Sequence, residues 1–288
     1  KQMNQLEGVK RFYFVGIGGI GMSALARYFF SKGYAVAGYD KTPSPLTDQL
    51  QQEGILIHFT DLGNNIPAPY NEVAGTVVVY TPAIPKNMQE LCFVQQEHVV
   101  YKRSEVLGLI TKTSKGIGVA GTHGKTTTST MLAHVMHQSQ TKCAAFLGGI
   151  STNLQSNVLV DSSAEYTIVE ADEFDRSFLR LSPFASIITE MDPDHLDIYG
   201  TAAAFYDTFQ QYADKHSGKT LVYKHDLPLK NTGFNAISYG LNQPDATIFG
   251  TNLTTENGRF LMDISGPFGK WEAVELGLPG IHNAENAL

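Results

Sequence analysis

Val119-Ala120-Gly121-Thr122-His123-Gly124-Lys125-Thr126-Thr127-Thr128 decides how this chain is read. The apolar run Gly116 to Ala120 predicts a strand, and Thr126 to His137 predicts a helix. Strand, glycine-rich turn and Lys-Thr at a helix start form the layout of a triphosphate cradle. Gly121 and Gly124 let the backbone bend so that amide hydrogens converge on phosphate oxygens. The helix N-terminus adds positive potential. Lys125 supplies a cation for the β- and γ-phosphates, and the Thr126 hydroxyl can ligate Mg2+. The general phosphate-loop pattern places a glycine six residues before the lysine. Val119 stands there instead, and Gly118 is one residue early. The competing reading is a glycine-rich αβ turn with a chance lysine.

Composition narrows the classes. A length of 288 residues suggests two domains, on a prior of about 150 residues each. With 42% hydrophobic residues the chain can bury sizeable cores. The net charge is −7 and no basic block is visible, which argues against extended nucleic-acid binding. No apolar run is long enough to span a bilayer, so membrane insertion is not expected. No apolar h-region opens the chain. Cys92 and Cys143 lie far apart and outside any metal-binding spacing, which fits a reducing compartment. The expectation is a soluble cytoplasmic protein.

Upstream of the phosphate loop, Lys10 to Val15 reads as a strand and runs into Gly16-Ile17-Gly18-Gly19-Ile20-Gly21. A helix from Met22 to Lys32 and a strand from Tyr34 to Tyr39 follow, ending at Asp40. This βαβ unit carries a GxGxxG turn and an acid nineteen residues after its last glycine, a dinucleotide fingerprint that also serves other diphosphates. The strand Thr76 to Tyr80 delivers Thr81-Pro82-Ala83-Ile84-Pro85 at its carboxyl end, the edge where open parallel sheets bind ligands. Val99 to Tyr101 is a short strand and Arg103 to Thr113 a helix, so the boundary is placed at 108: one domain over 1–108 and a second over 109–288. Lys102 and Arg103 either face an anionic ligand or form a solvated helix start.

In the second domain the strand Tyr166 to Val169 delivers Glu170-Ala171-Asp172-Glu173-Phe174-Asp175, where the second acidic element of a nucleotide triphosphatase belongs. Four acids in six residues repel one another, and a cation or basic partner relieves that repulsion. The alternative is a solvated acidic turn, paired with Arg176 and Arg180. Ala185 to Thr189 leads to Met191-Asp192-Pro193-Asp194-His195-Leu196-Asp197. There His195 either binds a second metal, orients a carboxylate, or serves structurally. Alternating strands and helices argue for a mostly parallel sheet. The tail differs: Ala246 to Asn252, Arg259 to Ile264 and Trp271 to Leu276 are joined by Asn257-Gly258 and Gly266-Pro267-Phe268-Gly269, which predicts an antiparallel meander. Pro279 to Leu288 reads as a helix beginning without a C-cap, which suggests a longer protein. Two nucleotide-type sites in one chain point to a ligase or kinase more than to a dehydrogenase.

Together with His282-Asn283-Ala284-Glu285-Asn286-Ala287-Leu288, these motifs resemble the Mur ligases of bacterial peptidoglycan synthesis. The resemblance spans nearly the whole chain. It implies an α/β architecture: an N-terminal Rossmann-like parallel-sheet domain for a UDP-sugar, then a P-loop-type ATPase domain with an antiparallel β extension. The family's C-terminal amino-acid-binding domain would be absent. Gly16, Gly18, Gly19, Ile20, Gly21, Asp40, Thr81 and Arg103 would then serve the UDP-sugar. Gly121, Thr122, His123, Gly124, Lys125, Thr126, Thr127, Asn283 and Asn286 would hold ATP. Two Mg2+ ions are implied, with Thr126 and Glu170 on one and His195 on the second, and Lys125, Glu170 and His195 carrying the catalysis.

The first motif and His123 lean toward the family member that joins L-alanine to the lactyl carboxylate of UDP-N-acetylmuramate through an acyl phosphate. Phe174, Glu190 and Tyr80-Thr81-Pro82 depart from the family pattern. The rival readings are the recycling ligase that attaches a tripeptide to the same sugar, an NAD-binding oxidoreductase using the first GxGxxG, and a nucleotide-binding fragment with little turnover.

Overall fold

The computed structural model describes residues 6–152, 156–161, 163–193 and 196–288. The chain divides into two compact units, the first Lys1–Ile110 with Lys142–Ala164, the second Thr111–Thr141 with Glu165–Leu288.

The first unit starts with β1 (Arg11–Val15), α1 (Ile20–Ser31), β2 (Ala35–Tyr39), α2 (Pro45–Gln52) and β3 (Leu56–His58). It continues with β4 (Thr76–Tyr80), α3 (Gln89–Glu97), β5 (Val99–Lys102) and α4 (Arg103–Thr113). The strands are all parallel, in the order β3-β2-β1-β4-β5. A parallel sheet buried on both faces calls for apolar residues at successive positions. In β1 Phe12, Tyr13, Phe14 and Val15 are all buried. Phe12 stacks on Phe29 of α1 at 3.7 Å between ring centroids. Tyr13 and Val15 sit in the core cluster with Leu91 and Val94 of α3. Helix α2 begins where Ser44 and Thr47 form a reciprocal capping box with Pro45 at the first turn.

Tyr13 also carries a polar load. Its hydroxyl donates to Glu90 Oε2 and lies against His58 Nε2, both at 2.7 Å. Glu90 is fully buried, and its other oxygen accepts from the Leu62 amide at 2.7 Å. Burial raises the Glu90 pKa, and the hydrogen bonds from Leu62 and Tyr13 oppose that rise.

The chain then crosses to the second unit for β6 (Lys115–Ala120) and α5 (Lys125–Gln138), and returns to the first for the antiparallel pair β7 (Cys143–Ser151) and β8 (Ser156–Leu159). This pair is fastened to α1 by Asn157, whose amide donates to Ile20 O at 2.5 Å and Ser23 Oγ at 2.9 Å and accepts from Arg27 at 2.8 Å.

The remaining elements all lie in the second unit. They are β9 (Tyr166–Ala171), a 3-10 segment Phe174–Arg180, β10 (Ala185–Ile188), α6 (Leu196–Tyr199), α7 (Ala202–Asp214) and β11 (Thr220–Lys224). Then come β12 (Asn235–Leu241), β13 (Ile248–Glu256), β14 (Arg259–Gly266), β15 (Gly269–Leu276) and α8 (Ile281–Asn286). Within this unit the strands run β15-β14-β13-β12-β11-β10-β6-β9. Pairs from β9 through β13 are parallel, and β13-β14-β15 is the expected antiparallel meander. Phe178, Phe205, Phe209 and Tyr212 form its aromatic core, with Phe178 and Tyr212 stacked at 4.6 Å. Gly118 in β6 makes room for Tyr212: a Cβ there would lie 2.2 Å from the tyrosine oxygen, which shares a 2.7 Å hydrogen bond with Ser186. Among the described residues no helix is long and apolar enough to cross a membrane.

Tyr13→Phe deletes the hydroxyl that joins Glu90 to His58 and leaves the Glu90 oxygen without that donor. The expected loss is about 1–3 kcal/mol of unfolding free energy, seen as a lower urea midpoint at unchanged slope. A midpoint equal to the parent's would show that the network contributes nothing.

Candidate functional site

Each unit places its glycine-rich turn at the carboxyl edge of its parallel sheet. In the first unit, Gly16 has φ +90°, and its amide and that of Ile17 both donate to Tyr39 O. A Cβ on Gly16 would strike Ile84 at 2.9 Å and approach Thr81 at 3.3 Å, so the loop after β4 closes on the turn after β1. Asp40, at the end of β2, accepts from the Gly18 amide at 2.7 Å and from Thr42 at 3.2 Å. Its carboxylate therefore braces the turn. Helix α1 opens at Gly19 with no side-chain cap and no acid in its first turn, and the Asp40 carboxylate on the neighbouring Gly18 amide is the anion the chain supplies there. Arg103 lies against that end: a Cβ on Gly21 would meet Arg103 Nη1 at 2.8 Å. The structure thus brings Gly16, Gly18, Gly19, Ile20, Gly21, Asp40, Thr81 and Arg103 to one edge, and a glycine opening plus a guanidinium suits an anion.

In the second unit, the turn Gly121–Gly124 joins β6 to α5. Gly121 has φ +136°, and a Cβ there would fall 2.1 Å from Thr189 Oγ1 and 2.8 Å from Glu190 N. Gly124 has φ +82° and faces α8, where a Cβ would fall 2.7 Å from Asn286 Oδ1. The strand-end residues Thr189 and Glu190 hold the turn in place. The Thr189 hydroxyl reaches the carbonyls of Ala120 and His123, and Glu190 O accepts from the Thr122 amide at 3.1 Å. Helix α5 starts uncapped and without an acid in its first turn. Thr126 and His123 are exposed there, and Thr127 is half-buried.

Lys125 folds back over the turn. Its Nζ donates to Gly121 O at 2.6 Å and to Glu173 Oε2 at 2.8 Å. Glu173 is 2% exposed, and its carbonyl accepts from the Tyr199 hydroxyl. The acidic run therefore does not read as a solvated turn throughout. One of its members anchors the loop lysine, and the Asp172 carbonyl and carboxylate organise the 3-10 segment that follows, through Phe178 N, Ser177 Oγ and Phe174 N. Arg176 lies over the Tyr199 ring at 5.6 Å. Glu170 stands at the end of β9, paired in register with Val119 one residue before Ala120 and the turn. Asn286 packs on the turn, whereas Asn283 turns back to donate to Pro279 O at 2.7 Å. Asp194 and His195 lie outside the described residues.

The arrangement offers places for a nucleotide and a divalent ion. The Thr122 hydroxyl is buried with no hydrogen-bond partner, so a polar group is missing from its surroundings. Gly124 leaves a hollow that any side chain would fill. The oxygen donors Thr126 and Glu170 suit Mg2+, which keeps most of its waters and takes only one or two protein ligands. No cluster of three or more His, Cys, Asp or Glu side chains able to hold a metal occurs among the described residues. The residues fit the group.

Sequence reasoning did not assign Glu173 or Thr189 to the site. Thr189 and Glu190 were legible only through register, because β10 pairs with β6 and so ends beside the turn.

Residues 11–115 match the model described as the Mur ligase family, catalytic domain, and residues 119–288 match the Mur ligase middle domain. The chain is 48% identical over 285 residues to a UDP-N-acetylmuramate–L-alanine ligase of Porphyromonas gingivalis, covering 97% of this chain and 62% of that protein. It thus spans less than two thirds of the length of such relatives. Among solved structures, a UDP-N-acetylmuramate-alanine ligase of Thermotoga maritima aligns with TM-score 0.80 and 26% identity, over 96% of this chain and 62% of that one. A UDP-N-acetylmuramate:L-alanyl-gamma-D-glutamyl-meso-diaminopimelate ligase from Neisseria meningitides shares the fold, with TM-score 0.81 and 21% identity over 97% and 91%.

Lys125→Met removes the cation from a carboxylate that is almost fully buried. The expected loss is about 1.5–3 kcal/mol in urea unfolding, the range for hydrogen bonds to charged groups, and Glu173→Gln in the same chain restores part of it. Identical unfolding of parent and Lys125→Met would show that the pair carries no stability.

Proposed function

The chain belongs to the Mur ligase family, and from that premise we propose that it carries the sugar- and ATP-binding parts of a UDP-N-acetylmuramate–L-alanine ligase acting in the cytoplasm on a peptidoglycan precursor. The observation that carries the reading is the second-unit turn. Gly121 and Gly124 hold it open, Lys125 reaches over it, and the Thr122 hydroxyl has no protein partner. The relatives' names supply the substrates. The domain assignment is 1–108 for the UDP-sugar and 109–288 for ATP.

In this reading the α1 end, with Arg103, receives the diphosphate of UDP-N-acetylmuramate, and Asp40 keeps the turn open by bracing Gly18. The amides of Gly121–Lys125 and the α5 dipole take the phosphates of ATP. Lys125 leaves Glu173 for the β- and γ-phosphates, and Thr122 gains its missing partner. Asn286, and Asn283 after release from Pro279, face the adenine. Thr126, Glu170 and His195 would hold Mg2+, which supplies charge neutralisation on the transferring phosphoryl group. The lactyl carboxylate attacks the γ-phosphate to give an acyl phosphate and ADP. The amine of L-alanine then adds to the acyl carbon, and phosphate leaves. Lys125 stabilises the charge that builds on the phosphoryl oxygens, so its loss should slow the first step about a hundredfold or more.

Calorimetric titration of the 288-residue chain separates the classes. Binding of MgATP and of UDP-N-acetylmuramate, with no binding of NADH, is expected. NADH binding without sugar binding would overturn the ligase reading. In the full-length protein, with ATP and UDP-N-acetylmuramate present, amine-dependent phosphate release should favour L-alanine over the tripeptide; product with the tripeptide only would overturn the choice of amine.

A further inference from the structure

Lys224, the last residue of β11, belongs to no motif, yet it joins two walls of the phosphate turn. Its Nζ lies 2.6 Å from Glu190 Oε2 and 3.1 Å from Glu285 Oε2. Glu190 forms the wall at Gly121: its amide nitrogen and carbonyl oxygen would lie 2.8 Å and 3.1 Å from a Cβ there, and its carbonyl accepts from Thr122. Glu285 belongs to α8, and the next residue, Asn286, forms the wall at Gly124. Helix α8 has six residues and no side-chain cap, too short to be stable by its own hydrogen bonds. Its attachments include the buried Ala284, Asn286 on the Gly124 turn, and the ion pair to Lys224, with Leu288 beyond it near Gly250.

Charge gives the junction a second role. Glu190 and Glu285 sit beside a turn read as the seat of a polyanion. Both carboxylates converge on Tyr239 of β12: burial first, then the charges of Glu285 and Glu190, hold its phenol well above its ordinary pKa. Lys224 is the cation between the two carboxylates. Partial burial opposes its charge, but its bonds to Glu190 and Glu285 outweigh that and raise its pKa. Without it, two like charges would face each other and any triphosphate, at a separation too short for salt to screen fully.

We propose that Lys224 is a positioning residue for nucleotide binding, tying the Glu190 wall to the Asn286 wall and cancelling part of the carboxylate charge beside the phosphates. The inference rests on the reading of the second unit as an ATP site. The nearby groups that bear on it are Glu190, Glu285, Tyr239 and the His225–Asp226 pair that follows Lys224 in the chain.

The test measures affinity for MgATP, ADP and AMP in the 288-residue chain and its Lys224→Met and Lys224→Arg variants, at low and high salt. Lys224→Met should weaken MgATP about tenfold, with smaller losses for ADP and AMP, and raising the salt should shrink the loss. Lys224→Arg should stay within threefold of the parent. Far-UV circular dichroism and urea unfolding of the same variants report that the second unit, which carries Lys224, is folded. If Lys224→Met does not fold, Lys224→Gln takes its place with the same expected loss. Parent-like MgATP affinity in the variant would overturn the role of Lys224. Failure of the parent to bind MgATP would overturn the ATP reading instead. An equal loss for AMP and MgATP, independent of salt, would reduce Lys224 to a structural contact.

Discussion

A methyl group at position 121 would lie 2.1 Å from Thr189 Oγ1 and 2.8 Å from Glu190 N. The second unit depends on that vacancy. The strand ends of β6 and β10 can adjoin only if the turn between them and α5 carries no Cβ at Gly121. Once they adjoin, Thr189 and Glu190 fasten the backbone from one side while Asn286 closes from the other. The phosphate turn is thus a consequence of sheet order, with β6 between β10 and β9. Glu190 arrives on one flank and Glu170 on the other because parallel strands deliver their carboxyl ends to the same edge.

The first unit uses the same logic with different fastenings. Gly16 tolerates positive φ and the approach of Ile84, and Asp40 spends its carboxylate on the Gly18 amide. Taken from the sequence alone, Asp40 is the acid of a dinucleotide fingerprint. The structure gives it a local job, accepting from the Gly18 and Thr42 amides. Each turn ends in a helix start without a capping side chain or a first-turn acid.

The parts of the fold that a local pattern specifies were legible in the sequence. Apolar runs followed by glycine turns gave β1, β6 and their helices to within a few residues, and Asn257-Gly258 announced the β13–β14 hairpin. Elements without such a signature escaped. The strand Asn235–Leu241 mixes polar residues with a glycine, and the helix Gln89–Glu97 is glutamine-rich, yet packing on the sheet stabilises both. The return of residues 142–164 to the first unit depends on Asn157 meeting Ile20 and Ser23, a contact between distant segments that no window of sequence contains. In the site, Lys125 and the glycines were readable because motif spacing encodes them. Glu173 was visible only as one of four acids, and Lys224 not at all, because their importance lies in which strand ends meet. His195 remains a sequence expectation.

In the proposed function the two turns divide the labour, with nucleotide triphosphate on Gly121–Thr127 and UDP-sugar on Gly16–Ser23. Amide hydrogen exchange, read peptide by peptide with each ligand added separately, distinguishes the two. MgATP is expected to slow exchange across 121–127 and leave 16–23 unchanged, and UDP-N-acetylmuramate to do the opposite. Protection of 16–23 by MgATP, with 121–127 unaffected, would contradict that division.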